Sequence, residues 1–130
     1  MRSNRPSIMI VEDNDAFRML LNTMFHREYS VTTARNGLEA IAWLAQGNVP
    51  DIILMDVYMP QLDGPALLRH IKASGLFREI PVIILSGSEQ EQELAGYLDM
   101  GADAFFLKPF NPVDLKKAVK KMISGSDVIA

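Results

Sequence analysis

The sequence predicts an α/β protein in which one five-stranded parallel sheet carries helices on both faces. Short apolar runs recur along the 130 residues, and each run is bounded by polar or turn residues. Segments with helical spacing of apolar residues lie between the runs. Short buried strands that alternate with amphipathic helices pair in parallel, because each helical crossover returns the chain to the same end of the sheet. Five such strand–helix units use nearly the whole chain, so the fold is a doubly wound sheet.

Apolar runs predict the positions of the strands. Four of them read as strands buried on both faces, at residues 8–11, 52–55, 82–85 and 104–107. Residues 30–34 are β-branched but more polar, which is typical of an edge strand.

Apolar residues at helical spacing predict the five helices. The first follows Asn14 and Asp15, which are good N-cap residues, and its apolar positions are Phe17, Leu20, Leu21, Met24 and Phe25. The second carries Leu38, Ile41, Ala42 and Leu44, the third Leu67, Leu68 and Ile71, the fourth Leu94, Tyr97 and Leu98, and the fifth Val113, Ala118, Val119, Met122 and Ile123. Asp63, Gly64 and Asp51 are interpreted as turn and cap residues rather than ligands.

Composition and charge exclude several classes of protein. The absence of cysteine excludes a disulfide framework, a thiolate metal site and a cysteine nucleophile. A formal net charge of −3 argues against direct binding of nucleic acid. No apolar run approaches the length of about 18 residues that a membrane span needs. We therefore expect a cytoplasmic protein without a membrane association.

Polar residues follow the apolar runs at the predicted strand ends, namely Glu12 and Asp13, Asp56, Ser86 and Gly87, and Lys108 and Pro109. In an open parallel sheet the functional crevice lies beyond the carboxyl ends of the strands, so these residues should converge. Clustered carboxylates repel one another unless a cation accompanies them, and an all-oxygen set favours Mg²⁺, or Mn²⁺, over zinc.

Four motifs carry a resemblance to a known family. They are VEDN at 11–14, DVYMPQLDG at 56–64, ILSGS at 84–88 and FLKPF at 106–110. With these motifs in this order, the chain resembles a receiver domain of the two-component response regulators over residues 7–124. The resemblance implies a flavodoxin-like sheet of strand order 2-1-3-4-5. We expect residues 1–130 to form one receiver domain with a core at 7–124 and without an output domain.

The resemblance also implies a role for each matching residue. Asp56 would be the phosphoryl acceptor, a carboxylate nucleophile that forms an acyl phosphate. The metal would be held by Glu12, Asp13, Asp56 and the backbone carbonyl of Tyr58. Ser86 would donate its hydroxyl to the phosphoryl group, and Lys108 would pair first with Asp56 and then with the phosphate. Gly87 would leave space for that group, and the Lys108–Pro109 peptide bond would be cis.

The expected output is a change of surface. In the family, movement of the hydroxyl residue, here Ser86, makes room for an aromatic ring, which is Phe106 in this chain. Rotation of that ring would alter the face made by the fourth helix, fifth strand and fifth helix, at about residues 89–123. Tyr58 and Ser88 occupy the positions that tune dephosphorylation, and neither offers an acid or amide to orient water. We therefore expect slow autodephosphorylation.

The function implied is a stand-alone switch of a two-component phosphorelay rather than an enzyme acting on other substrates. A histidine kinase or histidine phosphotransfer protein would donate the phosphoryl group, and the downstream protein target is unknown. The main alternative is a receiver-like interaction adaptor that works without phosphorylation. A hydrolase of the haloacid dehalogenase type would need an acid where Tyr58 stands, and a flavin carrier would need a phosphate loop where residues 12–15 are acidic. The basic face of the last helix is either a solvated surface or a docking surface, and it consists of Lys116, Lys117, Lys120 and Lys121.

Overall fold

Five strands and five helices alternate along the residues that the computed structural model describes, which are 5–57, 61–87 and 91–124, without the side chains of 91–94. The strands are β1 (Ser7–Val11), β2 (Ser30–Ala34), β3 (Ile52–Asp56), β4 (Val82–Ser86) and β5 (Ala104–Leu107). The helices are α1 (Asp15–Phe25), α2 (Gly37–Ala45), α3 (Gly64–Ala73), α4 (Glu91–Asp99) and α5 (Pro112–Ser124).

The strands form one sheet in the order β2-β1-β3-β4-β5, and every neighbouring pair is parallel. The predicted fold class and strand order are therefore confirmed. The register sets Asp56 opposite Leu85 and Ser86 opposite Leu107. The ends of the three strands β3, β4 and β5 thus meet at one edge of the sheet.

Two predictions about the strands needed correction. Asp56 and Ser86 are the last residues of β3 and β4 rather than the first residues after them, because each still pairs with the neighbouring strand. The prediction that the run at 104–107 is buried on both faces was wrong. In this strand order β5 has β4 as its neighbour on one side and is a sheet edge on the other, so Phe105 and Leu107 are 36% and 41% exposed.

Alternation along the strands divides the core into two layers, one on each face of the sheet. Met9 and Val11 point to the layer covered by α2, α3 and α4, whose buried residues include Leu67 and Tyr97. Ile8 and Ile10 point to the layer covered by α1 and α5, which contributes Leu21, Phe25, Leu115 and Val119. Burial on both faces explains why the central strands read as continuous apolar runs.

Side-chain caps fix where three helices begin. Asn14 accepts a hydrogen bond from the backbone N–H of Phe17 at the start of α1, and Asp63 accepts one from Ala66 at the start of α3. Asn36 caps α2 in the same way. The cap interpretation of Asp63 is confirmed. Asp51 instead accepts a hydrogen bond from the backbone N–H of Ser7 at the start of β1.

The helices bury narrower stripes than the spacing predicted. Leu20 was expected on the buried face of α1 but is 51% exposed, while Leu21 and Phe25 are buried as expected. Leu38 in α2, Leu98 in α4 and Val113 in α5 are exposed for the same reason, since a helix presents only one stripe to the sheet. Among the described residues, no helix has the length and apolar character needed to cross a bilayer.

Candidate functional site

Three carboxylates converge where β1 and β3 end. Glu12 and Asp13 follow β1 directly, and Asp56 closes β3. One oxygen from each lies within 4.8 Å of the others. Strands β1 and β3 are hydrogen-bonded neighbours, which brings together residues that are 43 positions apart in the chain.

Glu12 is the more deeply buried of the two buried carboxylates in this cluster, and Asp56 is the other. Its Oε2 accepts a hydrogen bond of 3.0 Å from the backbone N–H of Asn14, and its Oε1 accepts one of 3.0 Å from the Lys108 ammonium. Burial raises the pKa of the Glu12 carboxyl to about 7, and the nearby Asp56 carboxylate acts in the same direction, while the two hydrogen bonds lower it. Binding of a proton or a cation at this site therefore stabilises the buried carboxylates.

Asp56 is also buried, with its side chain 9% exposed. The backbone N–H of Val57 donates to Oδ1 at 2.7 Å, and Oδ2 lies 3.5 Å from Lys108 Nζ. The carboxylate is thus held on one side by the chain and on the other by an ammonium. Lys108 was expected to pair with Asp56, but it is shared and lies nearer to Glu12.

Lys108 enters the site from the end of β5. Its backbone N–H donates to the carbonyl of Ser86 at 2.7 Å, which ties it to the fully buried Ser86. The Lys108–Pro109 peptide bond is cis. Gly87 is exposed, and a Cβ added there would meet nothing within 4 Å, so the space around Gly87 itself is open.

Phe106 is half-buried and packs in the layer between the sheet, α1 and α5. Its ring meets the edge of Phe110 with centroids 6.4 Å apart. Tyr58 and Ser88, which sequence reasoning placed beside the acceptor, lie outside the described residues.

Two residues of α1 support the site and were not anticipated. Arg18 donates from Nη1 to the carbonyl of Glu12 at 2.9 Å and also reaches that of Asp13, and it pairs with Asp15. The ring of Phe17 lies under the Lys108 ammonium, 4.3 Å from Nζ to the ring centroid. The sequence does place Arg18 in the first turn of the helix that follows Glu12 and Asp13, within reach of both. No local signal existed for the contact of Phe17, which joins residues 91 positions apart.

Asp13 does not serve as the cap of α1, because Asn14 occupies that position. Its side chain is solvent-exposed yet contributes an oxygen to the carboxylate cluster. The donor set is entirely oxygen, carries up to three negative charges and is open to water at Asp13. Such a set fits a hard divalent cation that retains several waters better than it fits zinc.

Two glycines let the backbone around Asp56 pack closely. A Cβ at Gly64 would lie 2.8 Å from the carbonyl oxygen of Asp56, and the backbone N–H of Gly64 donates to Val57 at 2.9 Å. A Cβ at Gly37 would collide with the carbonyl of Leu62, whose φ is +72°. The starts of α3 and α2 therefore pack closely against Val57 and Leu62.

Comparisons with known proteins agree with this geometry. The family model of the response regulator receiver domain matches residues 8–120. The alkaline phosphatase synthesis transcriptional regulatory protein PhoP of Bacillus subtilis is 32% identical over 124 residues, which are 95% of this chain and 50% of that protein. The chain thus spans about half the length of this relative.

Solved structures of similar shape include two receiver domains of histidine kinases. The signal receiver domain of a signal transduction histidine kinase from Syntrophus aciditrophicus has a TM-score of 0.85 and 37% identity, covering 92% of this chain and 91% of that one. The receiver domain of a sensor histidine kinase from Pseudomonas aeruginosa PAO1 has a TM-score of 0.83 and 29% identity, covering 92% and 98%. That structure holds a magnesium ion in its active-site cleft.

Proposed function

Because the chain belongs to the response regulator receiver domain family, we propose that it is a phosphorylation-switched module that accepts a phosphoryl group on Asp56. The observation that carries the proposal is the setting of the Asp56 carboxylate. It lies 3.5 Å from the Lys108 ammonium and beside the carboxylates of Glu12 and Asp13. The carboxylate of Asp56 can thereby act as a nucleophile next to an ammonium group and next to the carboxylates that would bind a metal.

The proposed donor is a phosphohistidine of a histidine kinase or a histidine phosphotransfer protein. A carboxylate oxygen of Asp56 forms the new O–P bond while the N–P bond of the donor breaks, and the electron pair of that bond returns to the imidazole nitrogen. The product is an acyl phosphate on Asp56. The hydrogen bond from Val57 holds Oδ1 and so fixes the direction in which the carboxylate faces the donor.

The residues that would hold Mg²⁺, or Mn²⁺, are Glu12, Asp13 and Asp56, with the backbone carbonyl of Tyr58 as a further proposed ligand. When bound, the cation would offset negative charge on the transferring group. The magnesium ion in the Pseudomonas neighbour supports this assignment. Arg18 keeps the acidic turn in place by binding its two carbonyl oxygens.

Ser86 and Lys108 are proposed to contact the phosphoryl group after transfer. Both lie at adjacent strand ends, and the backbone hydrogen bond between them keeps the two elements in register. The open space at Gly87 admits the incoming oxygens. A new group with about 1.5 to 2 negative charges attracts a hydroxyl and an ammonium, so both would be drawn towards Asp56.

The proposed output is a rearrangement around Phe106 that changes the face formed by α4, β5 and α5. The half-buried ring is on β5, the strand that leads directly into Lys108, which connects the site to that face. An unidentified downstream protein would read the change in the cytoplasm. The exposed lysines of α5, one of the three elements of that face, would suit an acidic partner.

Slow loss of the phosphoryl group is a further part of the proposal. Neither Tyr58 nor Ser88 carries an acid or amide that could orient an attacking water. The phosphorylated wild type and Tyr58→Asn should therefore decay at different rates, with the variant faster. Equal lifetimes would show that Tyr58 does not slow the loss of the phosphoryl group.

The direct test is phosphoryl uptake from acetyl phosphate with Mg²⁺, followed by intact mass. We expect one phosphoryl group per chain, none in Asp56→Asn and none when EDTA removes the metal. Asp63→Asn is the matched control, because asparagine keeps the cap of α3 and Asp63 lies outside the carboxylate cluster. Uptake that persists in Asp56→Asn, or that is absent from the wild type, would contradict the proposal.

A further inference from the structure

Among the described residues, three side chains from separate parts of the chain contact the Lys108 ammonium. It lies 3.0 Å from Oε1 of Glu12, 3.5 Å from Oδ2 of Asp56 and 4.3 Å from the centroid of the Phe17 ring. The side chain is 25% exposed, so the contact with the ring is partly shielded from water. A cation over an aromatic face is attracted by the ring quadrupole, and the attraction grows as water is removed.

The aromatic partner differs from the other two in one chemical respect. A divalent cation that binds the carboxylates competes with the ammonium for their oxygens. In Glu12, Oε2 already accepts a hydrogen bond from the backbone N–H of Asn14. The face of a phenylalanine ring is not a ligand for a hard cation. A metal on the carboxylates would therefore leave the ring available as a partner of the Lys108 ammonium.

Neighbouring rings hold Phe17 in the orientation that this contact needs. Phe110 meets Phe17 edge to face, with centroids 5.7 Å apart and planes at 72°. Phe106 packs in turn against Phe110 at 6.4 Å and 73°. Edge-to-face packing of this kind is favourable, and here it fixes the ring plane of Phe17. The lysine side chain, in contrast, has a long flexible stem whose position must be held by its partners.

We propose that Phe17 is a positioning residue for phosphoryl transfer, holding the Lys108 ammonium beside Asp56 through a cation–π contact. This role rests on the proposed function of Asp56 as acceptor. A cation–π contact at a partly desolvated site corresponds to a factor of about 2 to 30 in the population of the positioned ammonium. Loss of the contact should lower the rate of phosphoryl uptake by a factor in that range.

A graded series of fluorinated phenylalanines at position 17 tests the electrostatic part of this role. Each added fluorine weakens the negative face of the ring with little change in its size. We expect the rate of uptake from acetyl phosphate with Mg²⁺ to fall stepwise from phenylalanine through one, two and three fluorines. A purely packing role predicts the same rate throughout the series.

The matched control is the same series at Phe25, a buried ring of α1 that packs edge to face on Tyr29. No trend is expected there. An uptake rate that does not change along the series at position 17, or that falls equally at both positions, would overturn the role of Phe17. Uptake by the unsubstituted chain would still support the function of Asp56 in that case. Absence of uptake by the unsubstituted chain would overturn both.

The contact itself has a readout that does not depend on phosphorylation. The Lys108 side-chain protons lie over the ring and should show an upfield ring-current shift in NMR spectra. The shift should disappear in Phe17→Leu and remain in Phe25→Leu. If Phe17→Leu leaves the Lys108 resonances unchanged, the ring does not hold the ammonium.

Discussion

Glu12→Gln should abolish a pH dependence of stability that the buried carboxyl imposes on the metal-free protein. Burial raises the pKa of Glu12 from 4.5 to about 7 in the folded chain. Between these values the folded state binds a proton on Glu12 that the unfolded state lacks. The free energy of unfolding therefore falls as pH rises through this window, and this stability is fully present only below pH 4.5.

The magnitude follows from the two pKa values. A difference between about 7 and 4.5 amounts to about 3 kcal/mol, at about 1.4 kcal/mol for each unit. Glutamine stays neutral at every pH and has nearly the same shape. The unfolding free energy of Glu12→Gln relative to wild type should therefore rise by up to about 3 kcal/mol from pH 4.5 to above pH 7.

Urea unfolding in EDTA, measured for both proteins across this pH range, gives the difference directly. Subtracting the variant removes the contribution of the other titrating groups. Saturating Mg²⁺ should offset the loss at high pH in the wild type, because the metal binds the ionised carboxylate of the folded state. Parallel stability curves for the two proteins would refute the reasoning.

Three further substitutions test the fold in urea unfolding experiments. Leu54→Ala removes a fully buried side chain and should cost about 2–5 kcal/mol, whereas a loss below 1 kcal/mol would mean that the site refills. Asp63→Ala removes the cap of α3 and should cost about 1 kcal/mol, and unchanged stability would exclude the capping role. Gly37→Ala should destabilise by about 1–3 kcal/mol despite the higher helix propensity of alanine, because the new Cβ meets Leu62. Gly75→Ala, with open space around it, is the control, and equal effects would contradict the close approach.

Sequence reasoning was most successful where local patterns determine structure. The runs that became β1, β3 and β4 are buried on both faces, so their apolar character alone identified them. The parallel topology then brought Glu12, Asp13 and Asp56 together, because the carboxyl ends of parallel strands share one edge. Where helix starts depend on a capping side chain, the cap was also readable, as at Asp63.

What the sequence did not indicate depends on distances between elements. Phe105 and Leu107 are exposed because β5 is an edge strand. An apolar run in the sequence does not show whether the strand lies at the edge or in the centre of the sheet. The sharing of Lys108 between two carboxylates, and its contact with the ring of Phe17, are set by the packing of α1 against the sheet. No spacing rule reports such contacts.

Chemical mapping of the phosphorylated residue tests the central claim most directly. Borohydride reduction of an acyl phosphate converts the aspartyl residue that carries it to homoserine, which peptide mass spectrometry locates in the chain. After treatment with acetyl phosphate and Mg²⁺, we predict homoserine at position 56 and at no other aspartate. Reduction at Asp13 or elsewhere, or no reduction in a phosphorylated sample, would contradict the assignment of Asp56 as the acceptor.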